Sequence, residues 1–201
     1  MTSLSEAKVF GGIGSILVLL TAVPSVGPLF GIAGFIMILL AINNISQVVN
    51  EKPIYSNMLT AVVLAIGAIA VGAVTIVGAI YHVLSMGSFV GSHFVLPPHI
   101  ALGNWFGLAA AAFVGILAVW ALLVASAVFV RRTYHSMATK LNVHMFETAG
   151  LLYLIGAATC IILIGFPIIL IAQILLTVAF FSIPEQPKVQ ANQVQTVTAQ
   201  S

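Results

Sequence analysis

Side chains that could perform acid–base or metal chemistry are scarce, because the 201 residues include only four acidic residues and five histidines. His82, His93 and His99 share one segment, but their spacing matches no compact zinc pattern, and no cysteine or carboxylate accompanies them. His135 and His144 form a second group with the same deficiency. The sequence therefore predicts no metal site.

Glu147 and Gln173 are the polar residues that come nearest to a position inside a membrane. An ionisable group at membrane depth usually marks an ion pathway, whereas a carboxylate at a helix start is favoured by the helix dipole. Gln173 could line a solute path with Tyr153 and Thr159, or it could bond across to another helix, with Tyr153, Thr159 and Ser126 as candidate partners. We expect structural roles for both Glu147 and Gln173.

Motifs for nucleophilic or cofactor chemistry are missing from the sequence. It contains no Gly-x-Ser-x-Gly, no HExxH and no phosphate-binding glycine loop, and its single cysteine, Cys160, rules out a CxxC pair. The glycines of Gly11–Gly14 open an apolar helix rather than follow a strand, which favours close helix packing. We therefore predict no catalytic residue, no cofactor and no enzymatic activity.

The composition indicates an integral membrane protein. Hydrophobic residues make up 61% and charged residues 5%, with a mean hydropathy of +1.21, far from the roughly 45–50% and 25% of soluble proteins. At about 20 residues per crossing, the chain has room for about six helices. A net charge of +2 gives no basic field for nucleic acid, so the lipid bilayer is the expected partner.

The predicted fold is all-α: a polytopic bundle of six transmembrane helices in one domain, residues 1–183, with a disordered tail over 184–201. The expected helices span about 4–23, 28–42, 57–84, 104–130, 146–164 and 167–183. The first two are short for a full crossing, so they stand upright, extend further, or form a hairpin that only partly penetrates. Residues 131–145 could continue the fourth helix as a solvated helix. In the segment 85–103, Pro97 and Pro98 forbid a continuous helix.

Two stripes of small residues have spacings of four or three residues, alternating on the third helix, which places each stripe on one helix face. The third helix carries Ala61, Ala65, Ala68, Gly72, Thr75 and Ala79, and the fourth carries Gly107, Ala111, Gly115, Ala118, Ala121 and Ala125. In lipid, small residues let helix backbones approach closely. We predict that the two stripes face each other, although either could serve a second copy of the protein.

The positive charges predict the orientation. Lys8, Lys52, Arg131, Arg132, Lys140 and Lys188 all fall on one side of a six-helix arrangement, and the intervening turns carry none. Because Lys and Arg concentrate in cytoplasmic segments, both termini are expected in the cytoplasm of a multi-pass cell-membrane protein.

The terminal hairpins, Lys8 to Ile42 and Met145 to Ile183, form a weak internal repeat. Aligning them places Gly14 against Gly156, Gly27 against Gly165 and Ala41 against Ala179. Both hairpins leave and return to the same side, so the repeat is parallel, unlike the inverted repeats of many transporters.

Three segments carry a family resemblance: Ser5–Gly14, Phe146–Ala157 and Ala179–Pro184. In these segments the sequence resembles the domain-of-unknown-function family nine-nine-six, which groups small archaeal multi-spanning membrane proteins. The resemblance implies an archaeal cell membrane and brings no defined activity and no catalytic residues.

These observations favour a non-enzymatic membrane protein that acts by association, as a homo-oligomer or as an accessory subunit beside other membrane proteins. The alternative is a channel or carrier for a small neutral or amphipathic solute, with Gln173, Tyr153 and Thr159 lining the path.

Overall fold

A computed structural model describes residues 3–23, 25, 27–86, 88–90, 93–95, 102–162 and 164–184. Within these ranges the chain forms six α-helices, so the predicted all-α class with six helices is confirmed. In chain order they are α1 Leu4–Leu19, α2 Gly27–Val48, α3 Lys52–Met86, α4 Leu102–Leu141, α5 His144–Thr159 and α6 Gly165–Phe181. The expected tail begins at 184, and residues 185–201 lie outside the described ranges.

The connector between α3 and α4 contains a short β-hairpin that the sequence did not predict. Strands β1 Ser88–Val90 and β2 His93–Val95 pair antiparallel, with Phe89 opposite Phe94. Pro97 and Pro98 lie outside the described residues.

Four segments in the described ranges are long and apolar enough to cross a membrane: Gly27–Val48, Lys52–Ser85, Trp105–Leu141 and His144–Ile162. Helix α6 is apolar but shorter. Prolines 28, 53 and 167 each stand in the first turn of a helix. Amide hydrogens in the first turn have no acceptor within the helix, so the N–H that proline lacks costs no helical hydrogen bond there. The protein is therefore a helical membrane protein.

The helices group into two compact units where the sequence suggests one domain. The first unit contains the chain up to Ala61 and from Ala127 onwards, and the second contains Val62–Ser126. In the first unit α1 packs against both α2 and α6, and α5 packs against α6. Its core brings together the ends of the helices that carry the charged residues.

Helices α2 and α4 run further than the predicted ends at 42 and 130. The extra turns are polar in sequence, but they are amphipathic, because Ile45 and Met137 are fully buried in the core of the first unit. Both helices then stop at an asparagine in the left-handed conformation, Asn50 and Asn142, each with φ 56°. The next amide donates to a carbonyl five residues back, at 2.9 and 3.1 Å, which closes the helix ends.

The two terminal hairpins are built alike. Helices α1 and α5 each have 16 residues, and each continues into a three-residue 3₁₀ helix, Leu20–Ala22 or Cys160–Ile162. A glycine, Gly27 or Gly165, then begins the second helix of each hairpin. This shared plan places the aligned pair Gly27 and Gly165 at the same point of each turn.

Candidate functional site

Three rings form an aromatic layer at the charged end of the first unit. The ring of Phe146 on α5 meets Phe180 of α6 edge-on at 5.2 Å and Tyr134 of α4 at 6.2 Å. Phe146 and Phe180 are fully buried and Tyr134 nearly so. On α1, Gly11 lies directly against the Phe180 ring, where a β-carbon would overlap it. We call Tyr134, Phe146 and Phe180 the aromatic layer.

Two side-chain contacts, a histidine–carboxylate hydrogen bond and a lysine–carboxylate ion pair, tie the helix ends together beside the aromatic layer. His135 Nδ1 lies 3.1 Å from Glu147 Oε1, and Lys140 Nζ lies 2.5 Å from Glu51 Oε1. All four side chains are about one-third to three-fifths exposed, and exposed pairs typically contribute about 1 kcal/mol or less. Glu147 stands in the first turn of α5, which is the helix-start position that the structural interpretation predicts.

Histidine and carboxylate side chains form no larger cluster in the residues that the structure describes. No three His, Cys, Asp or Glu side chains there are grouped to hold a metal ion. Cys160, at the end of α5, is partly buried and unbonded to another cysteine.

Thr133 is a buried polar contact that the sequence reasoning missed. Its hydroxyl is fully buried, 3.1 Å from the Phe129 carbonyl of its own helix and 3.3 Å from the Ile54 carbonyl of α3. A signal was present in the sequence, since Thr133 falls on the same face of α4 as the apolar residues Val130 and Met137.

Gln173 bonds to a helix that was not among its expected partners. Its side-chain amide donates to the backbone carbonyl of Ser15 on α1 at 3.4 Å. The buried Ser15 hydroxyl donates to the Gly12 carbonyl at 2.9 Å. Thr159 donates within its own helix, to the Ile155 carbonyl at 2.8 Å. The structure therefore does not bring Gln173 and Thr159 together.

Replacing Gln173 by leucine is expected to lower the free energy of unfolding by only about 0.6 kcal/mol, the average for interhelical hydrogen bonds in lipid. The bond is long and its acceptor, the Ser15 carbonyl, belongs to a helix backbone. Unfolding in mixed detergent micelles gives the value, with Gln47→Leu on the exposed end of α2 as a control. A loss above about 2 kcal/mol would contradict this role.

In the second unit α3 and α4 meet through small residues. A β-carbon on Gly115 would approach the Thr75 side chain to 2.5 Å, and one on Gly72 would lie 3.6 Å from Val119. All the stripe positions from Ala65 to Ala79 on α3 are partly or fully buried. The α3 stripe thus lies on the more buried side of its helix.

The predicted α4 stripe does not lie wholly on the buried side of its helix. Gly115, Ala118 and Ala125 are partly buried, whereas Gly107, Ala111 and Ala121 are exposed. The contact with Gly72 comes from Val119, which is not a stripe residue. The line of contact on α4 is rotated by about one residue from the predicted stripe, because alanine and glycine occupy several faces of this helix.

Exposed stripe residues line a groove between α3 and α4. The groove has a volume of 490 Å³, and its lining is mostly apolar, with glycine and alanine at five positions and Thr75 and His82 as the polar residues. Its walls are Val74, Thr75, Gly78, Ala79, His82, Gly107, Leu108, Ala111 and Ala112. Gly78 and Gly107 face open space: among the described residues, no heavy atom lies within 4 Å of a β-carbon position on either glycine. We call this the α3–α4 groove.

Apolar helices, a charged layer at their ends and a small-residue groove define an integral membrane protein of the all-α class. The chain belongs to the family described as "Protein of unknown function (DUF996)", which it matches over residues 30–174. The segment Phe146–Ala157 lies inside the matched range, whereas Ser5–Gly14 and Ala179–Pro184 lie outside it. The predicted family is confirmed.

A relative from Methanocaldococcus jannaschii, "Uncharacterized protein MJ1644", is 35% identical over 185 residues. The similarity covers 92% of this chain and 96% of the relative, so the two proteins correspond over nearly their whole lengths. No solved structure matches the chain.

Proposed function

We propose that the protein is a non-enzymatic membrane subunit that acts by association, packing its α3–α4 groove against a helix of a second copy. One observation carries the proposal. Gly78 and Gly107 are exposed in a groove of 490 Å³ and face open space. In lipid, small residues on an open face let a partner backbone approach and gain van der Waals contact.

The same helices supply ridges that fit such a groove. Ile76 and Ile80 on α3 and Phe113 on α4 are each more than half exposed. A two-fold axis would place the ridge of one copy in the groove of the other, since the same surface then serves both subunits. An accessory role beside a different membrane protein would use the same groove.

The channel or carrier alternative has less support. Of the side chains proposed to line its path, Gln173 and Thr159 donate to backbone carbonyls, and Glu147 pairs with His135. Tyr153 is partly buried against the core. These contacts support structural roles for Gln173, Thr159 and Glu147.

The proposed location is the cell membrane, with several crossings and both termini cytoplasmic. Lys52, Arg131, Arg132 and Lys140 lie in the first unit, near the aromatic layer or at the adjoining helix ends. Positive residues of this kind concentrate at the cytoplasmic surface.

Filling the groove is expected to separate the copies. Gly78→Leu adds a side chain where the chain itself leaves space, so folding is retained while a partner helix is excluded. We expect the dimerisation constant, obtained from the dimer fraction in lipid bilayers, to fall at least about tenfold, about 1.4 kcal/mol of association free energy. Single-molecule photobleaching of labelled protein measures this fraction directly.

Ile69→Leu is the matched control, because Ile69 is 71% exposed on the same helix and does not line the groove. It should dimerise as the unsubstituted protein does. A monomeric unsubstituted protein in bilayers, or a Gly78→Leu variant that dimerises normally, would refute association through the groove.

A further inference from the structure

Several charged residues among the described part of the first unit lie within about one helical turn of the aromatic layer. On α4, Tyr134 is flanked by Arg131 and His135, and His135 pairs with Glu147, the neighbour of Phe146. On α1, Lys8 precedes by one turn the Gly11 that contacts Phe180. Because charged side chains stay at or beyond the hydrocarbon boundary, this layer marks one membrane surface.

The segments Gly27–Val48 and His144–Ile162 are long enough to cross a membrane by themselves, but part of α2 extends past this layer, since Gly14 of α1 lies against Met37 and Ile38 of α2. Measured from the layer, the two terminal hairpins reach only part of the way across a bilayer. Helix α5 rises about 20 Å from Phe146 to Thr159, and its 3₁₀ extension adds about 6 Å. Helix α1 rises about 12 Å from Gly11 to Leu19, and its extension also adds about 6 Å. The hydrocarbon core is about 30 Å thick and the whole bilayer about 40–45 Å. These lengths are upper limits, since any tilt shortens the reach.

Helices α3 and α4 are longer than the helices of the two terminal hairpins. Their runs without Lys, Arg, Asp or Glu, residues 53–86 and 102–130, measure about 50 and about 43 Å. Each run is long enough to cross the whole bilayer, headgroup regions included. The chain therefore combines two long helices with two short hairpins.

The turn between α5 and α6 is apolar, as expected of a hairpin tip that lies inside the hydrocarbon. It exposes Ile161, Ile162, Ile164 and Phe166, each about half exposed or more, and its sequence from 160 to 167 contains no charged residue. Four large apolar side chains at one tip favour hydrocarbon over water, because exposing them to water is unfavourable.

Part of the described backbone at the tips is hydrogen-bonded within the chain, as a lipid environment favours: the Val23 and Gly27 amides donate to the Leu20 and Val23 carbonyls at 3.0 and 2.9 Å. The 3₁₀ helix runs to Ile162 and α6 begins at Gly165, so only two residues separate the helices. Gly165 packs against the end of α5, where a β-carbon would meet the Gly156 carbonyl and Cys160. Near both tips the hydroxyls of Thr21 and Thr159 donate to carbonyls of their own helices.

We propose that α1–α2 and α5–α6 are re-entrant hairpins, whose turns end inside the hydrocarbon, and that only α3 and α4 cross the membrane. The partner surface of both tips is the lipid acyl chains. This arrangement keeps both termini on the same side, as a six-crossing arrangement does. It does not depend on association through the α3–α4 groove.

The native Cys160 tests the proposal without any substitution, because it stands at the start of the α5–α6 turn. A membrane-impermeant maleimide is applied to sealed proteoliposomes of both orientations and, separately, to protein in detergent. We expect labelling in detergent and less than about one-tenth of that labelling from either side of the bilayer. In a Cys160→Ala background, Ser85→Cys should react from one side and Thr139→Cys from the other. Labelling of Cys160 from the Ser85 side would overturn the proposal.

Spin labels at Ser25→Cys and Ile162→Cys, each in the Cys160→Ala background, give a second measure that is independent of thiol reactivity. Both positions are exposed at the two turns, so a label there leaves the packing intact. We expect collision with oxygen to exceed collision with a water-soluble nickel complex at both sites. The reverse ranking would place the turns at the far surface and favour six full crossings.

Discussion

Phe180→Ala is expected to lower the free energy of unfolding by about 3–5 kcal/mol, the range for removing a fully buried aromatic side chain. The ring touches both Phe146 and Gly11, so three helices lose packing at once. Unfolding in mixed detergent micelles measures the loss. Phe166→Ala is the matched control, because that ring on the same helix is 58% exposed, and its cost should be about 1 kcal/mol or less.

A double-mutant cycle tests the contact itself. Gly11→Ala alone should destabilise, since its β-carbon overlaps the buried Phe180 ring. In the Phe180→Ala background the same change should cost little, because the ring is gone. Equal costs in both backgrounds would show that α1 and α6 do not pack at this point.

Gly34→Ala is expected to destabilise the protein by about 1–3 kcal/mol, despite alanine's better helix propensity. A β-carbon there would lie 2.5 Å from the Gly14 carbonyl oxygen and 2.8 Å from the Val18 amide nitrogen. These are backbone atoms, so no side-chain rotation can relieve the overlap and α1 must move away from α2. Micelle unfolding measures the loss.

Gly67→Ala provides the control on α3. In the part of the chain that the structure describes, no heavy atom lies within 4 Å of its β-carbon position, so alanine there should be neutral or stabilising by up to about 1 kcal/mol. If both substitutions had the same effect, the close approach of α1 and α2 at Gly14 and Gly34 would be disproved.

The sequence predicted the helices well where apolar runs end at proline or glycine, as at Gly27 and Gly165. It placed the ends of α2 and α4 too early, because residues 43–48 and 131–141 look like polar connectors. Their buried face, with Ile45 and Met137, becomes recognisable only when the facing helices are known. The polar end of a helix and a loop have similar compositions, so composition alone could not separate them.

Contacts between helices were less predictable than the helices themselves. The small residues of α4 occupy more than one face, so spacing alone fits several rotations, and the face used is set by α3. Gln173 was expected to bond across helices, yet its acceptor is the Ser15 carbonyl, and every helix offers such a group. Partner identity depends on tertiary packing, which local sequence does not encode.

The bond from Gln173 to Ser15 joins positions 158 residues apart. Contacts within each terminal hairpin are local and can form as soon as that hairpin is made, whereas contacts between α1 and α6 close the longest loop in the molecule. During synthesis α1 can therefore dock on α2 early, but its face towards α6, with Gly11 and Ser15, stays uncovered until the last helix arrives.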